Sequence, residues 1–169
     1  KLLGGPQCGI ILGSKQALER ISKHPMMRAL RLDKTILAAL NATLDIYLSP
    51  APAERIPVLQ LLSESLESLR DRAEALAAKL NELAGISAST NEDITYLGGG
   101  SVPTQEIKTW TVAIHHDQLS DDRLSAALRS AEPAILGRIR QDEFHLDLRS
   151  VFSSQDQQII QAMETLILN

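Results

Sequence analysis

Aromatic residues are nearly absent from this chain of 169 residues: Tyr47, Tyr96, Trp110, Phe144 and Phe152 are all it has. Its core must therefore come from Leu, Ile, Val and Ala, and a hydrophobic share of 44% is enough to build one. Cysteine is almost missing too. The single Cys8 excludes an internal disulfide and a thiolate metal cluster, and it fits a reducing, cytoplasmic setting. No apolar run approaches the roughly 20 residues that span a bilayer. There is no basic run, and the net charge is −4, so composition argues against a dedicated nucleic-acid binder. The histidines His24, His115, His116 and His145 form no metal-ligand spacing with carboxylates or cysteine, so no metal site is expected. His115 and His116 are adjacent and point to opposite faces of a strand. None of the four is read as catalytic.

What is present is mostly helical stripe and alternating strand. Residues 8–14 form a short apolar run between glycines, expected as a buried strand. Ser14 is placed to cap a helix over 15–23, which ends before His24-Pro25. Ile36, Leu37, Leu40, Leu44 and Leu48 predict an amphipathic helix over 33–48, capped by Asp33. Ser49-Pro50-Ala51-Pro52-Ala53 reads as a linker. From 57 to 83, Leu62, Leu66, Leu69, Ala73, Leu76, Leu80 and Leu83 make one stripe, which predicts a long connecting helix with Gly85 at its end. Beyond it the pattern is β-β-α-β-β-α. Strands are expected at 86–97 and 107–115, a helix at 120–130, a hairpin of 134–140 and 144–149 turning at Gln141-Asp142-Glu143, and a helix over 155–168. That order predicts an α/β unit with an antiparallel sheet and helices on one face. Residues 1–48 look unfinished, because a lone buried strand needs neighbours.

Three segments invite a chemical reading. Lys1 carries an amine that can bond to a carbonyl cofactor, and Gly4 and Gly5 after it allow a tight turn; the bland reading is a solvated terminal lysine. Arg28 and Arg31 stand at i and i+3, so on a continuous helix they share a face and suit a phosphate-like anion. The bland reading pairs them with Asp33 or Glu19 on the surface. Gly98-Gly99-Gly100-Ser101-Val102-Pro103 is rich enough in glycine to cradle phosphate, but it leads to a strand rather than a helix N-terminus, which favours a plain connection.

The opening Lys1-Leu2-Leu3-Gly4-Gly5-Pro6-Gln7, the segment Arg28-Ala29-Leu30-Arg31-Leu32-Asp33-Lys34 and the Gly98–Pro103 run together resemble the bacterial selenocysteine synthases, the L-seryl-tRNA(Sec) selenium transferases. The resemblance extends over nearly the whole chain. Cys8, where the family often has Ala, and Gln60, where a basic residue is expected, depart from it. It implies the C-terminal part of a fold-type-I transferase dependent on pyridoxal 5'-phosphate (PLP). Residues 1–48 would end its large PLP-binding domain, 49–85 would be linker and connecting helix, and 86–169 the small α/β domain. Lys1 would be both the catalytic residue and the one that binds PLP. Arg28 and Arg31 would hold the phosphate-like part of the selenium donor, selenophosphate. The reaction implied converts seryl-tRNA(Sec) to selenocysteinyl-tRNA(Sec) in a homo-oligomer built of dimers. The phosphate cup of PLP, the partner of its ring nitrogen and the main tRNA-binding part are expected upstream of Lys1, so the chain alone is expected to be inactive. Two alternatives stay open. One is a related PLP lyase or aldolase that acts on a small phosphorylated substrate without tRNA. The other is a non-enzymatic association module that uses 57–83 as an exposed partner helix.

Overall fold

The structure, a computed structural model, describes residues 3–97 and 105–167. Lys1 and the Gly98–Pro103 run lie outside the described residues. The chain divides into two units, Lys1–Gln60 and Leu61–Asn169.

In the first unit the caps act where their residue types direct. Ser14 Oγ accepts from Ala17 N at 3.3 Å and opens α1, Lys15–Ser22. Pro25 precedes the single turn α2, Met26–Ala29. Asp33 Oδ1 accepts from Ile36 N at 2.8 Å and opens α3, Lys34–Tyr47. The expected linker contains one more turn, α4, Pro52–Arg55, with Pro in its first turn, where a missing N–H costs nothing. The expected strand over 8–14 is not formed. These residues pair with nothing among the described residues, and Ile10, Ile11 and Leu12 are 53%, 57% and 88% exposed. A strand exists only through a neighbour that takes its N–H and C=O groups, and none is present. The α3 stripe is similarly bare, with Leu37, Leu44 and Leu48 exposed.

Helix α5, Pro57–Ser63, carries the chain past the division at Gln60. The long helix expected over 57–83 is broken. Ser65 takes a β conformation, and its Oγ accepts from Ser68 N at 3.0 Å, so it caps a new helix, α6, Leu66–Leu80. A side chain that satisfies an orphan N–H locally competes with helix continuation, and here it prevails.

The second unit holds the four-stranded antiparallel sheet that the pattern predicts. Its strands are β1, Ile86–Tyr96, β2, Glu106–His116, β3, Arg138–Arg140, and β4, Glu143–Asp147, in the order β1-β2-β4-β3. Helix α7, Asp121–Arg129, joins the two hairpins, and α8, Asp156–Ile167, follows the sheet. The second hairpin is shorter than expected. Gln141 and Asp142 take φ of 53° and 59°, as a two-residue I′ turn requires, and Glu143 already belongs to β4. Alternation decides the core. Val112 and Ile114 of β2 and Phe144 and Leu146 of β4 lie on the helix side, with Leu69, Ala73, Leu76 and Leu80 of α6, Leu124 and Leu128 of α7 and Met163 of α8. At about 25 cal/mol per Å² of apolar area, each such Leu contributes on the order of 2 kcal/mol. The α6 stripe is therefore the inner face of this unit and not a free partner helix.

Candidate functional site

Lys1 has no described geometry, but the loop that follows it does. Tyr47 Oη donates to Leu3 O at 3.1 Å, which pins the loop to the end of α3. Gly4 then turns with φ +70°, a conformation that favours glycine. A Cβ on Gly4 would come within 2.6 Å of Ile56 Cγ2, and one on Gly5 within 2.6 Å of Thr43 Oγ1. Gly4 is thus required by rotation and close approach, and Gly5 by close approach alone. The loop is held tightly at Leu3, Gly4 and Gly5.

Arg28 and Arg31 do not share a helical face. α2 ends at Ala29, Leu30 is its C-cap, and Arg31 lies in the connection to α3. The physical reason is again a cap: Asp33 starts a new helix only four residues after α2 ends. Both arginines are exposed, and neither makes an ion pair or side-chain hydrogen bond among the described residues. The pairing with Asp33 or Glu19 is therefore not formed, since the Asp33 carboxylate is engaged at its cap. Two free guanidinium groups three residues apart remain able to take an anion.

Three of the four histidines have neighbours in the fold, although His116 Nε2 and His145 Nδ1 are buried without a hydrogen-bond partner among the described residues. His24 Nδ1 accepts from Met26 N at 3.2 Å. His116 Nδ1 accepts from Gln118 N and Leu119 N at 3.1 and 3.3 Å, which places its proton on Nε2. His145 lies 3.6 Å from the Glu143 carboxylate. Among the described residues no cluster of His, Cys, Asp and Glu could hold a metal ion. No helix there is long and apolar enough to cross a membrane.

One charged cluster escaped the sequence reading. Asp93 on β1 meets Arg138 Nη2 at 2.6 Å and Arg140 Nη1 at 2.5 Å, both from β3 at the opposite edge of the sheet. Thr109 Oγ1 donates to Asp147 Oδ1 at 2.6 Å beneath them. Burial pushes the Asp93 carboxyl up, but the Ile94 N–H and the two guanidinium groups outweigh it and hold the pKa below the ordinary value of 3.8. The arginines roof the outer face of the sheet, and Thr109 and Thr111 under them are fully buried. The Asp93 carboxylate is satisfied within this cluster, while Arg138 Nε is buried without a partner among the described residues. Its sequence signal was alternation alone, which assigns Asp93, Arg138 and Arg140 to one face but not to one another.

Comparison with known proteins gives a consistent result. Residues 1–152 match the family model described as L-seryl-tRNA selenium transferase. The chain is 43% identical over 167 residues to the L-seryl-tRNA(Sec) selenium transferase of Aquifex aeolicus, covering 99% of this chain and 37% of that protein. It is 40% identical over 169 residues to the protein of the same name from Hyphomonas neptunium, covering 99% and 36%. With that of Carboxydothermus hydrogenoformans it shares 40% over 156 residues, covering 92% and 34%. The chain thus spans little more than a third of the length of these relatives.

Proposed function

The chain belongs to the L-seryl-tRNA selenium transferase family, and on that premise we propose that it is part of a PLP-dependent enzyme that converts seryl-tRNA(Sec) to selenocysteinyl-tRNA(Sec) with selenophosphate as donor. The observation that carries this reading is the pair of unpaired, exposed guanidinium groups of Arg28 and Arg31, in a chain otherwise matched along its length by selenium transferases.

Each part of the chain then has a task. Lys1 would hold the cofactor through its amine, and the same amine would move the proton at the serine Cα. The pinned Leu3–Gly5 loop fixes where Lys1 stands. When bound, PLP supplies the electron sink that lets negative charge develop at that carbon. Arg28 and Arg31 bind the phosphate-like part of the donor by charge and by their planar forks, which orients selenium towards the serine Cβ. The second unit packs its own core. The working enzyme is a cytoplasmic homo-oligomer.

The test is turnover by the full-length protein supplied with PLP, seryl-tRNA(Sec) and selenophosphate. Formation of selenocysteinyl-tRNA is expected. Arg28→Ala and Arg31→Ala are each expected to raise the KM for selenophosphate about tenfold or more and to leave tRNA binding in place. Turnover of a small phosphorylated substrate, with seryl-tRNA(Sec) left unchanged, would instead identify the enzyme as the related lyase or aldolase.

A further inference from the structure

The two units carry opposite charge. Residues 1–60 contain eight Lys and Arg against four Asp and Glu, and residues 61–169 contain nine against seventeen. The imbalance of the first unit is concentrated between Lys15 and Lys34, where six cations face two carboxylates, in a chain whose net charge is −4. Composition over the whole chain conceals it. The share of ion-paired cations differs between the units. In the second, Arg70, Arg72, Lys108, Arg138 and Arg140 engage carboxylates, while Lys79, Arg123, Arg129 and Arg149 make no ion pair among the described residues. Lys15, Arg20, Lys23, Arg28, Arg31 and Lys34 are all exposed and make no ion pair among the described residues.

Helix geometry orders three of them. At 100° per residue, Lys15, Glu19, Lys23, Gln16 and Arg20 fall within about 140° of arc, and Ala17, Leu18 and Ile21 lie on the other side. Lys15 and Lys23 are about 12 Å apart along the axis, a span of a few phosphates on one strand of a duplex. Glu19 stands on the same face without pairing to any of them. Leaving three cations unpaired beside an available carboxylate keeps their charge directed outwards.

We infer that the polar face of α1, through Lys15, Arg20 and Lys23, is a contact surface for the phosphodiester backbone of the tRNA substrate. The inference rests on the function proposed above and extends it: Arg28 and Arg31 take the small anion, and the α1 face takes the RNA. RNA fits better than an anionic membrane. The helix has only eight residues, its apolar side offers one Ile and one Leu, and its relatives are named for a tRNA substrate. The excess of cations in the first unit favours a polyanion over a neutral partner.

The experiment uses the full-length protein and transcribed tRNA(Sec), with binding followed across a salt series. The K15Q/R20Q/K23Q variant is expected to bind about tenfold or more weakly near 0.1 M salt. The slope of log K against log salt should become shallower by about 3, with the KM for selenophosphate unchanged. Gln16→Lys adds a cation to the same face and should tighten binding and steepen the slope by about 1. A control, K79Q/R123Q/R129Q, removes the same charge from exposed positions of the second unit and should leave binding near wild type. Equal binding by wild type and the first variant overturns the inference and leaves the proposed function standing. So does equal weakening by the control, or loss of binding to phosphatidylserine vesicles in place of tRNA. A wild-type protein that does not retain tRNA(Sec) overturns the proposed function, and the inference falls with it.

Discussion

Arg149 is 8% exposed and meets no carboxylate among the described residues; its guanidinium ends on backbone carbonyls. Nε donates to Lys108 O at 3.0 Å, and Nη1 donates to Leu61 O, Leu62 O and Glu64 O at 3.3, 3.4 and 3.0 Å. One side chain thus ties β2 to the break between α5 and α6. Arg149→Ala should cost about 2–4 kcal/mol, because the carbonyls lose a charged donor inside the protein. Urea unfolding would measure it, and Arg149→Lys should recover only part, since a point charge cannot fill a fork. Asp93 carries the acid sensitivity. Its pKa is held down in the folded state, so the stability it contributes is present at neutral pH. That stability is lost as pH falls through the depressed folded value, below 3.8. Asp93→Asn should therefore lower stability at pH 7 and flatten its fall between about pH 4 and 2. A denaturation midpoint with the wild-type acid slope would contradict this.

At the scale of elements, the caps place the boundaries. Ser14, Asp33 and Ser65 each accept a hydrogen bond from the residue three positions on, and each starts a helix. The break at Ser65 matters most, because it frees α6 to lie on the sheet independently of α5. Ser65→Ala should cost about 1 kcal/mol, read as a lower unfolding midpoint, with Ser65→Asp close to wild type. The second hairpin depends on two residues with positive φ, neither of them glycine. Gln141→Gly should be neutral to mildly stabilising there, whereas a β-branched residue should not be accepted.

Over the whole molecule the two units differ in what they bury. The second unit encloses a continuous core from α6, the sheet, α7 and α8. In the first unit Ile56 is the one hydrophobic residue classed as buried among those described. Residues 61–169 expressed alone should unfold cooperatively in urea, and residues 1–60 alone should show no cooperative transition. The whole chain of 169 residues should be inactive by itself and should lose added PLP on desalting. A bond to one lysine is reversible, so retention of the cofactor requires further contacts. An absorbance near 420 nm that survives desalting would show a more self-contained site.

The sequence by itself determined much of this. Alternation in β2, the α6 stripe and the caps at Ser14 and Asp33 act over a few positions, so local chemistry specifies them without a partner, whereas the stripe over 57–83 concealed the break at Ser65. The Lys1–Gln7 and Arg28–Lys34 motifs likewise pointed to the family from their residues alone. Only the tertiary structure decided the rest. The apolar run at 8–14 has the composition of a strand, yet a strand is completed by a neighbour, and no described residue supplies one. Arg28 and Arg31 have helical spacing, yet Asp33 ends the phase between them by starting α3. Asp93 lies 45 and 47 positions from Arg138 and Arg140 and meets them only because the sheet, in the order β1-β2-β4-β3, carries all three on one face. Contacts across such a distance depend on how the chain closes on itself, which no local pattern encodes.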